Sequence, residues 1–469
     1  MVMEKLSNNK DTTSVDVADG QSDLSLKLEL DKADQFSRSA DLQARAHRNI
    51  PGGCHTYAKG DDQYPASAPA FIERGLGCHV WDVEGREYIE YALGLRSTTL
   101  GHCWPSVTEA VSRVLSLGNN FNRPHELEVQ CAEKFLELIP YADMVKFTKD
   151  GSSVMTAAVK LARAKTGRTH IALCSDSPFL SYDDWFMGKT DVGAGIPDSI
   201  RNLSLSFDYN DIDSLRALFE QHPNSIACVA MEPERLVKPI DGYLEAVRAL
   251  CDEQGALLIF DETLTGFRWH LHGAQHLYGV KPDLSCFGKA MANGFALSAL
   301  AGKRDVMELG GLKQVDADRV FLLSTTHGAE SVGLAAGLET MSVYQSEPVI
   351  EHLHTIGALI KTEFEAAAAD AGVSECVKIF GRDCSLLFST VDESGKPSQL
   401  LRTLFLQELC AGGVLAPSLY TSFSHTEQDV QITIDAVSRA CKVYRQALDN
   451  GVEPYLKGPP SQSVYRKRN

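Results

Sequence analysis

From about residue 140 the chain carries short apolar runs separated by helical stretches: Met144–Phe147, Ile171–Cys174, Ile226–Met231, Ala256–Phe260, Leu284–Phe287, Leu297–Ala301 and Val320–Leu323. Strands alternating with helices predict a mainly parallel sheet covered on both faces, an α/β arrangement whose near-continuous apolar strands are buried on each side. The two ends of the chain have a different texture. Ala70 to Tyr91 alternates polar and apolar residues around turns at Gly75-Leu76-Gly77 and Glu84-Gly85, which predicts a small antiparallel sheet. Ala40 to His47 reads as a helix broken by Ile50-Pro51-Gly52-Gly53. From about Ser346 helix, strands and helix follow, with strand cores at Ile379-Phe380 and Leu386-Leu387-Phe388. The expected organisation is a polar tail over 1–30, the start of a small lobe over 31–95, a large domain over 96–345 and the rest of the small lobe over 346–469.

Composition narrows the function classes. A formal charge of −17 disfavours phosphate backbones and anionic lipid as partners. No apolar run approaches the roughly 20 residues that span a bilayer. The polar N-terminus lacks the features of a secretory signal. The 12 cysteines show no CxxC spacing and read as reduced, mostly buried thiols. A cytoplasmic enzyme is the expectation. GxxxxGK[ST], HExxH and GxSxG signatures are absent from the sequence. The pairs Cys78-His79 and His102-Cys103 invite a metal, but neighbours on a strand point to opposite faces, so no metal site is expected.

Ligands of an open parallel sheet collect beyond the carboxyl ends of its strands, which singles out three places. Lys149-Asp150-Gly151-Ser152-Ser153 follows a strand and opens a helix, so Gly151, Ser152 and Ser153 suit a phosphate, or simply a helix cap. Asp261, at the end of Ala256–Phe260, suits the protonated nitrogen of a pyridine ring; magnesium binding with Glu262, or capping of the next segment, are the competing readings. Lys289 ends the run Ser285-Cys286-Phe287-Gly288 and can form an imine with a carbonyl cofactor, although a lone lysine is usually a solvated side chain.

This order, with Lys289 placed 28 positions after Asp261, resembles the fold-type-I enzymes that use pyridoxal 5′-phosphate (PLP), specifically the class III aminotransferases. Within them the likeness is to glutamate-1-semialdehyde aminomutases. It spans about Ile50 to Ala447 and rests on Ile50-Pro51-Gly52-Gly53, Val80-Trp81-Asp82-Val83-Glu84-Gly85, Leu100-Gly101-His102, Glu126-Leu127-Glu128-Val129, Met231-Glu232-Pro233 and Ser424-His425-Thr426-Glu427. The resemblance implies a seven-stranded sheet between helices, with a smaller α+β lobe made from both chain ends. It also implies PLP on Lys289 and a homodimer with shared active sites. Phe179 is then the ring stacked on the cofactor, followed by Leu180 where the family usually has a tyrosine and a histidine. Thr326 reaches the phosphate bound by the neighbouring subunit, and Glu232 and Glu427 fall at acidic positions near the site.

Departures from that pattern cluster around the substrate. Lys59 stands where the family has an arginine, and Gly94-Leu95-Arg96-Ser97-Thr98-Thr99 replaces a tryptophan segment. Arg96 suits a carboxylate, phosphate or uronate, with a surface ion pair as the competing reading. Tyr57 and the hydroxyls of Ser97, Thr98 and Thr99 suit a polyhydroxylated molecule. The expected reaction moves an amino group from a donor to an aldehyde or keto acceptor, with intramolecular aminomutation as the alternative and a cofactor-binding pseudoenzyme as the non-catalytic one.

Overall fold

The computed structural model describes residues 37–313 and 318–466. The tail expected over 1–30 lies outside the described residues. Helices of ten residues or more are α1 (Ser37–Asn49), α2 (Pro105–Leu115), α3 (Glu126–Leu138), α4 (Gly151–Thr166), α5 (Ile212–Gln221), α6 (Tyr243–Gln254), α7 (Ser331–Ser346), α8 (Val349–Asp370), α9 (Gln399–Ala411) and α10 (Glu427–Asn450).

Seven strands form the central sheet: β4 (Met144–Thr148), β5 (His170–Cys174), β6 (Ser204–Phe207), β7 (Ile226–Met231), β8 (Leu257–Asp261), β9 (Leu284–Phe287) and β10 (Ser298–Gly302), in the order β4-β10-β9-β8-β7-β5-β6. Pairings from β6 to β9 are parallel, and β10 runs antiparallel to both its neighbours. Every residue of β7, β8 and β9 is buried, as expected where helices cover both faces. On one face Phe135 of α3 packs edge-on against Phe287 of β9, with ring centroids 5.2 Å apart. The opposite face takes Val154, Ala158, Leu161 and Ala162 of α4.

One strand expectation fails and one strand escaped notice. Val320–Leu323 is irregular chain: Val320 and Leu322 are buried while Phe321 is exposed, and Leu323 has a left-handed φ of 46°. The seventh strand is Ser204–Phe207 at the sheet edge, where two serines interrupt the apolar signal.

Both chain ends build the remaining sheets. β1 (Ile72–Leu76), β2 (His79–Asp82) and β3 (Glu87–Glu90) form the antiparallel meander, and β13 (Val414–Leu415) joins β3 in parallel through Val414 opposite Ile89. β11 (Val377–Arg382), β12 (Ser385–Thr390) and β14 (Leu419–Tyr420) make a third sheet. Their shared core with α8, α9 and α10 contains Phe364, Phe388, Phe405 and Tyr444. All cysteines except Cys54 and Cys103 are buried, and all are free. Among the described residues no helix is long and apolar enough to cross a membrane.

Candidate active site

The carboxyl edge of the central sheet gathers most of the chemistry-bearing residues. β8 ends on Asp261, which is 3% exposed. Its Oδ1 accepts from the Thr263 amide at 2.9 Å and the Thr263 hydroxyl at 2.6 Å, while Oδ2 has no hydrogen-bond partner among the described residues. Burial raises the Asp261 pKa above the usual carboxylate range, and the positive charge of Lys289 acts against that rise. Asp261 therefore caps its own following turn and still has one oxygen to offer a cation. Glu262 points elsewhere: its carboxylate accepts from the amides of Ala274 at 2.9 Å and Gln275 at 2.6 Å, which uses the oxygens that shared magnesium binding would need.

The neighbouring strand β9 ends at Phe287, and the chain then turns sharply through Gly288 into Lys289. A Cβ on Gly288 would lie 2.7 Å from Ser298 Oγ of β10, so any larger residue would have to displace that hydroxyl. Lys289 itself holds φ at 43°, a conformation disfavoured for a side-chain-bearing residue. Its amine has no hydrogen bond or ion pair among the described residues. Burial lowers its pKa, Arg96 lowers it further, and Asp261 and Glu232 oppose. A free amine at reduced pKa is the species that condenses with a carbonyl. Glu232, just past β7, is paired with Arg235 at 3.0 Å, yet burial and the charge of Asp261 raise its pKa to about 7.

Asp150, rather than a serine, is the N-cap of α4: it accepts from the Ser153 amide at 2.8 Å and the Ser153 hydroxyl at 2.9 Å. Ser152 Oγ accepts from the Tyr182 amide at 3.1 Å. Gly151 lies against Thr263, 3.1 Å from a Cβ built on it, so the start of α4 adjoins the Asp261 turn. Phe179, in the loop after β5, is 45% exposed and meets Phe186 edge-on at 6.0 Å.

The segment Leu93–Arg96 adjoins the same edge in an unusual shape. Leu93, Gly94, Leu95 and Arg96 all have positive φ, from 46° to 72°, and form one left-handed turn closed by the Ser97 amide on the Leu93 carbonyl at 3.0 Å. Three of the four are not glycine, at roughly 1–2 kcal/mol each. Asn293 ties the following residues to the Lys289 turn, accepting from the Leu100 amide at 2.9 Å and donating to the Gly101 carbonyl at 3.0 Å. Arg268 is fully buried and donates to Cys384 O at 2.9 Å, Thr421 O at 3.0 Å and Thr99 Oγ1 at 2.9 Å, thereby joining both lobes beside Lys289. Neither Asn293 nor Arg268 stood out in the sequence, although the Gly294 after Asn293 and the Phe267 before Arg268 mark turns and core.

Other candidates lie apart. Lys59 and Tyr57 are exposed, Tyr57 by 67%, on either side of Ala58, which lines a cleft with Arg96. Thr326 is exposed in a turn, its carbonyl accepting from Asn120 Nδ2 at 3.1 Å. Glu427 is exposed on the first turn of α10. The hydroxyls of Ser97 and Thr99 are already engaged by Gly94 O at 2.8 Å and by Arg268.

The reason given for excluding a metal at Cys78-His79 does not hold. Cys78 precedes the first residue of β2, after a turn with Gly77 at φ 58°, so strand alternation does not separate the pair. Cys78 Sγ lies 3.5 Å from Asp429 Oδ2 and His79 Nε2 lies 3.0 Å from Asp429 Oδ1, and the three ligand atoms fall within 4.8 Å of one another. Asp429 Oδ2 also accepts from the amide and hydroxyl of Thr426 at 2.8 and 2.7 Å in the capping box of α10.

Residues 60–419 match the family model described as aminotransferase class-III. The chain belongs to the class III aminotransferases. Solved structures of similar proteins agree. The PLP internal aldimine form of the FumI protein of Sphingopyxis sp. MTA144 is 30% identical, covers 89% of this aminotransferase and 99% of its own chain, and superposes with a TM-score of 0.82. An omega-transaminase from Sphaerobacter thermophilus is 26% identical over 88% of this chain and 99% of that one, with a TM-score of 0.79. A glutamate-1-semialdehyde-aminomutase from Pseudomonas aeruginosa PAO1, 20% identical over 90% and 98%, shares the fold at a TM-score of 0.77. The aminotransferase is thus a PLP enzyme, and the residues at its sheet edge fit the cofactor: an unpaired amine, a buried carboxylate with one free oxygen, and the amino end of a 16-residue helix for the phosphate.

Proposed function

We propose that this aminotransferase transfers an amino group between two separate molecules, from an amino donor to an aldehyde or keto acceptor, with Lys289 as the residue that joins PLP. The observation carrying the reading is the Lys289 amine, unpaired and reduced in basicity, sharing a buried edge with Asp261. Bound PLP supplies an electron sink that holds the amino group between the two halves of the reaction.

The chain's own residues do the rest. Lys289 Nζ would move the proton at the substrate carbon, its lowered pKa favouring the base form more than in an ordinary lysine. Asp261 Oδ2 would hold a proton on the nitrogen of the cofactor's ring. The Gly151 and Ser152 amides would take the phosphate beside Ser153, whose own amide is engaged by Asp150, Phe179 would pack on the ring, and Glu232 would set the charge balance beside Asp261. Thr326 serves the phosphate site of a second copy, so the working unit is a homodimer with shared sites. Arg96 is the principal substrate contact, with Lys59, Tyr57 and Glu427 around the entrance. Engagement of Ser97 and Thr99 within the fold weakens the case for a polyhydroxylated substrate and favours a carboxylated one.

Lys289→Ala is expected to abolish turnover and the visible absorbance of the bound cofactor; a yellow, active variant refutes the assignment. A donor-by-acceptor screen that includes glutamate-1-semialdehyde tests the intermolecular reading, which fails if that compound alone is converted and no second molecule is needed.

A further inference from the structure

A cleft of about 300 Å³ opens beside Arg96, walled by the left-handed turn, by α9, by the 417–420 segment and by residues 462–464 near the C-terminus. Its lining includes two arginines, Arg96 and Arg402, and no carboxylate. In a chain carrying an excess of 17 acidic charges, that balance is unexpected. Neither guanidinium has an ion-pair partner among the described residues. The Cζ of Arg96 sits 4.7 Å from the centre of the Tyr420 ring, and its Nε is buried without a hydrogen bond. Arg402 donates to Pro417 O at 2.9 Å, leaving most of its fork of donors unused. Both arginines are partly buried and Arg96 also feels the charge of Glu232, yet each keeps donors facing the cleft that an entering anion can take.

The wall is built rather than frayed. Ser461 is 2% exposed and is held to α9 by its amide on Thr403 Oγ1 at 3.0 Å and by Gln399 Nε2 on its hydroxyl at 2.9 Å. The Gln462 amide donates to Asp62 O at 2.7 Å, and Arg466 pairs with the Asp62 carboxylate at 2.7 Å. The C-terminal segment therefore fixes the cleft against the helix that carries Arg402.

We propose that Arg402 is a specificity residue and that, with Arg96, it forms a two-guanidinium subsite for a carboxylate borne by the substrate away from the reacting carbon. The inference rests on the placement of the reacting amine at Lys289. Guanidinium groups match the two oxygens of a carboxylate with paired donors, which an ammonium does not. Tyr420, which meets Arg96, lines the same cleft as Arg402.

Calorimetric titration of the PLP-loaded enzyme with glutarate and with its uncharged diamide tests this. Glutarate is expected to bind and the diamide to fail. Arg402→Gln should weaken glutarate at least tenfold, with Arg402→Lys in between, while the yellow colour of all variants persists. The proposal is overturned if glutarate does not bind, if the diamide binds equally, or if Arg402→Gln binds glutarate like the parent. A protein colourless in every variant fails the Lys289 reading and leaves the titration of the uncoloured chain to judge the subsite by the same outcomes.

Discussion

Replacing Arg268 tests whether one buried side chain both joins the lobes and tunes the reactive lysine. In Arg268→Met the carbonyls of Cys384 and Thr421 and the hydroxyl of Thr99 lose the guanidinium at once, with the Cys384 carbonyl keeping only the Thr421 hydroxyl at 3.5 Å. Orphaning a buried acceptor costs about 1–3 kcal/mol, so the three together would cost up to about 9 kcal/mol. Removing the buried charge returns several kcal/mol of desolvation, since burial already pulls the Arg268 pKa down. A net loss of about 3 kcal/mol follows. For a chain of 469 residues the unfolding entropy is about 1 kcal/mol/K, which converts the loss to a fall of about 3 °C in Tm. The second effect has a fixed sign. Arg268 is among the charges that lower the Lys289 pKa, so removing it raises that pKa and moves the acid limb of kcat/KM to higher pH. Arg268→Lys keeps the charge but loses the fork, so it should lose stability without moving the limb. Thermal unfolding at fixed PLP concentration and scan rate, with pH–rate profiles, reads both. An Arg268→Met protein with unchanged Tm, or a limb displaced to lower pH, refutes the reasoning.

Three further outcomes are expected. Asp261→Asn should keep PLP bound but lower kcat by roughly a hundredfold, the scale of one misplaced proton, as single-turnover spectra would register. Asn293→Ala removes the bonds to Leu100 and Gly101 and places alanine at φ 45°, for a loss of about 2–4 kcal/mol seen as a lower Tm and a raised KM. Glu232, with its pKa raised to about 7, gains a proton as pH falls through neutrality; Glu232→Gln should therefore flatten the pH dependence of kcat/KM between about pH 6 and 8, and an unchanged profile would exclude its titration as the cause.

Much of this was legible because the signals were local. Fully buried parallel strands leave uninterrupted apolar runs, and the residue after each run falls at the ligand edge, so Asp261 and Lys289 could be placed from sequence order alone. Edge strands carry weaker signals: Ser204–Phe207 is half serine, while Val320–Leu323 is apolar because Val320 and Leu322 plug the core without pairing. Residues that act across long sequence separations were illegible. Arg268 meets partners 116 and 153 positions away, and Asn293 reaches back 192, so no window of the sequence holds both ends of either contact. Strand alternation does not apply to Cys78-His79 because β2 begins only at His79.

What the sequence could not display is that the least comfortable groups of the described chain converge on one edge. The left-handed turn at Leu93–Arg96, the left-handed Lys289, the uncompensated Arg96 and the fully buried Arg268 each oppose folding, and each adjoins the next. A scaffold with a continuous apolar core can carry such costs only if the packing around them is stiff, and the interlobe bonds of Arg268 and the Asn293 staple supply that stiffness. Burial lowers the Lys289 pKa first, and the opposing charges around it are two arginines, Arg96 and Arg268, against two carboxylates, Asp261 and Glu232, so the amine owes its lowered basicity to burial with Arg96 as the largest charge acting the same way. Arg96 acts on the basicity of Lys289 and also lines the cleft proposed for the substrate, so a substitution there should change both together.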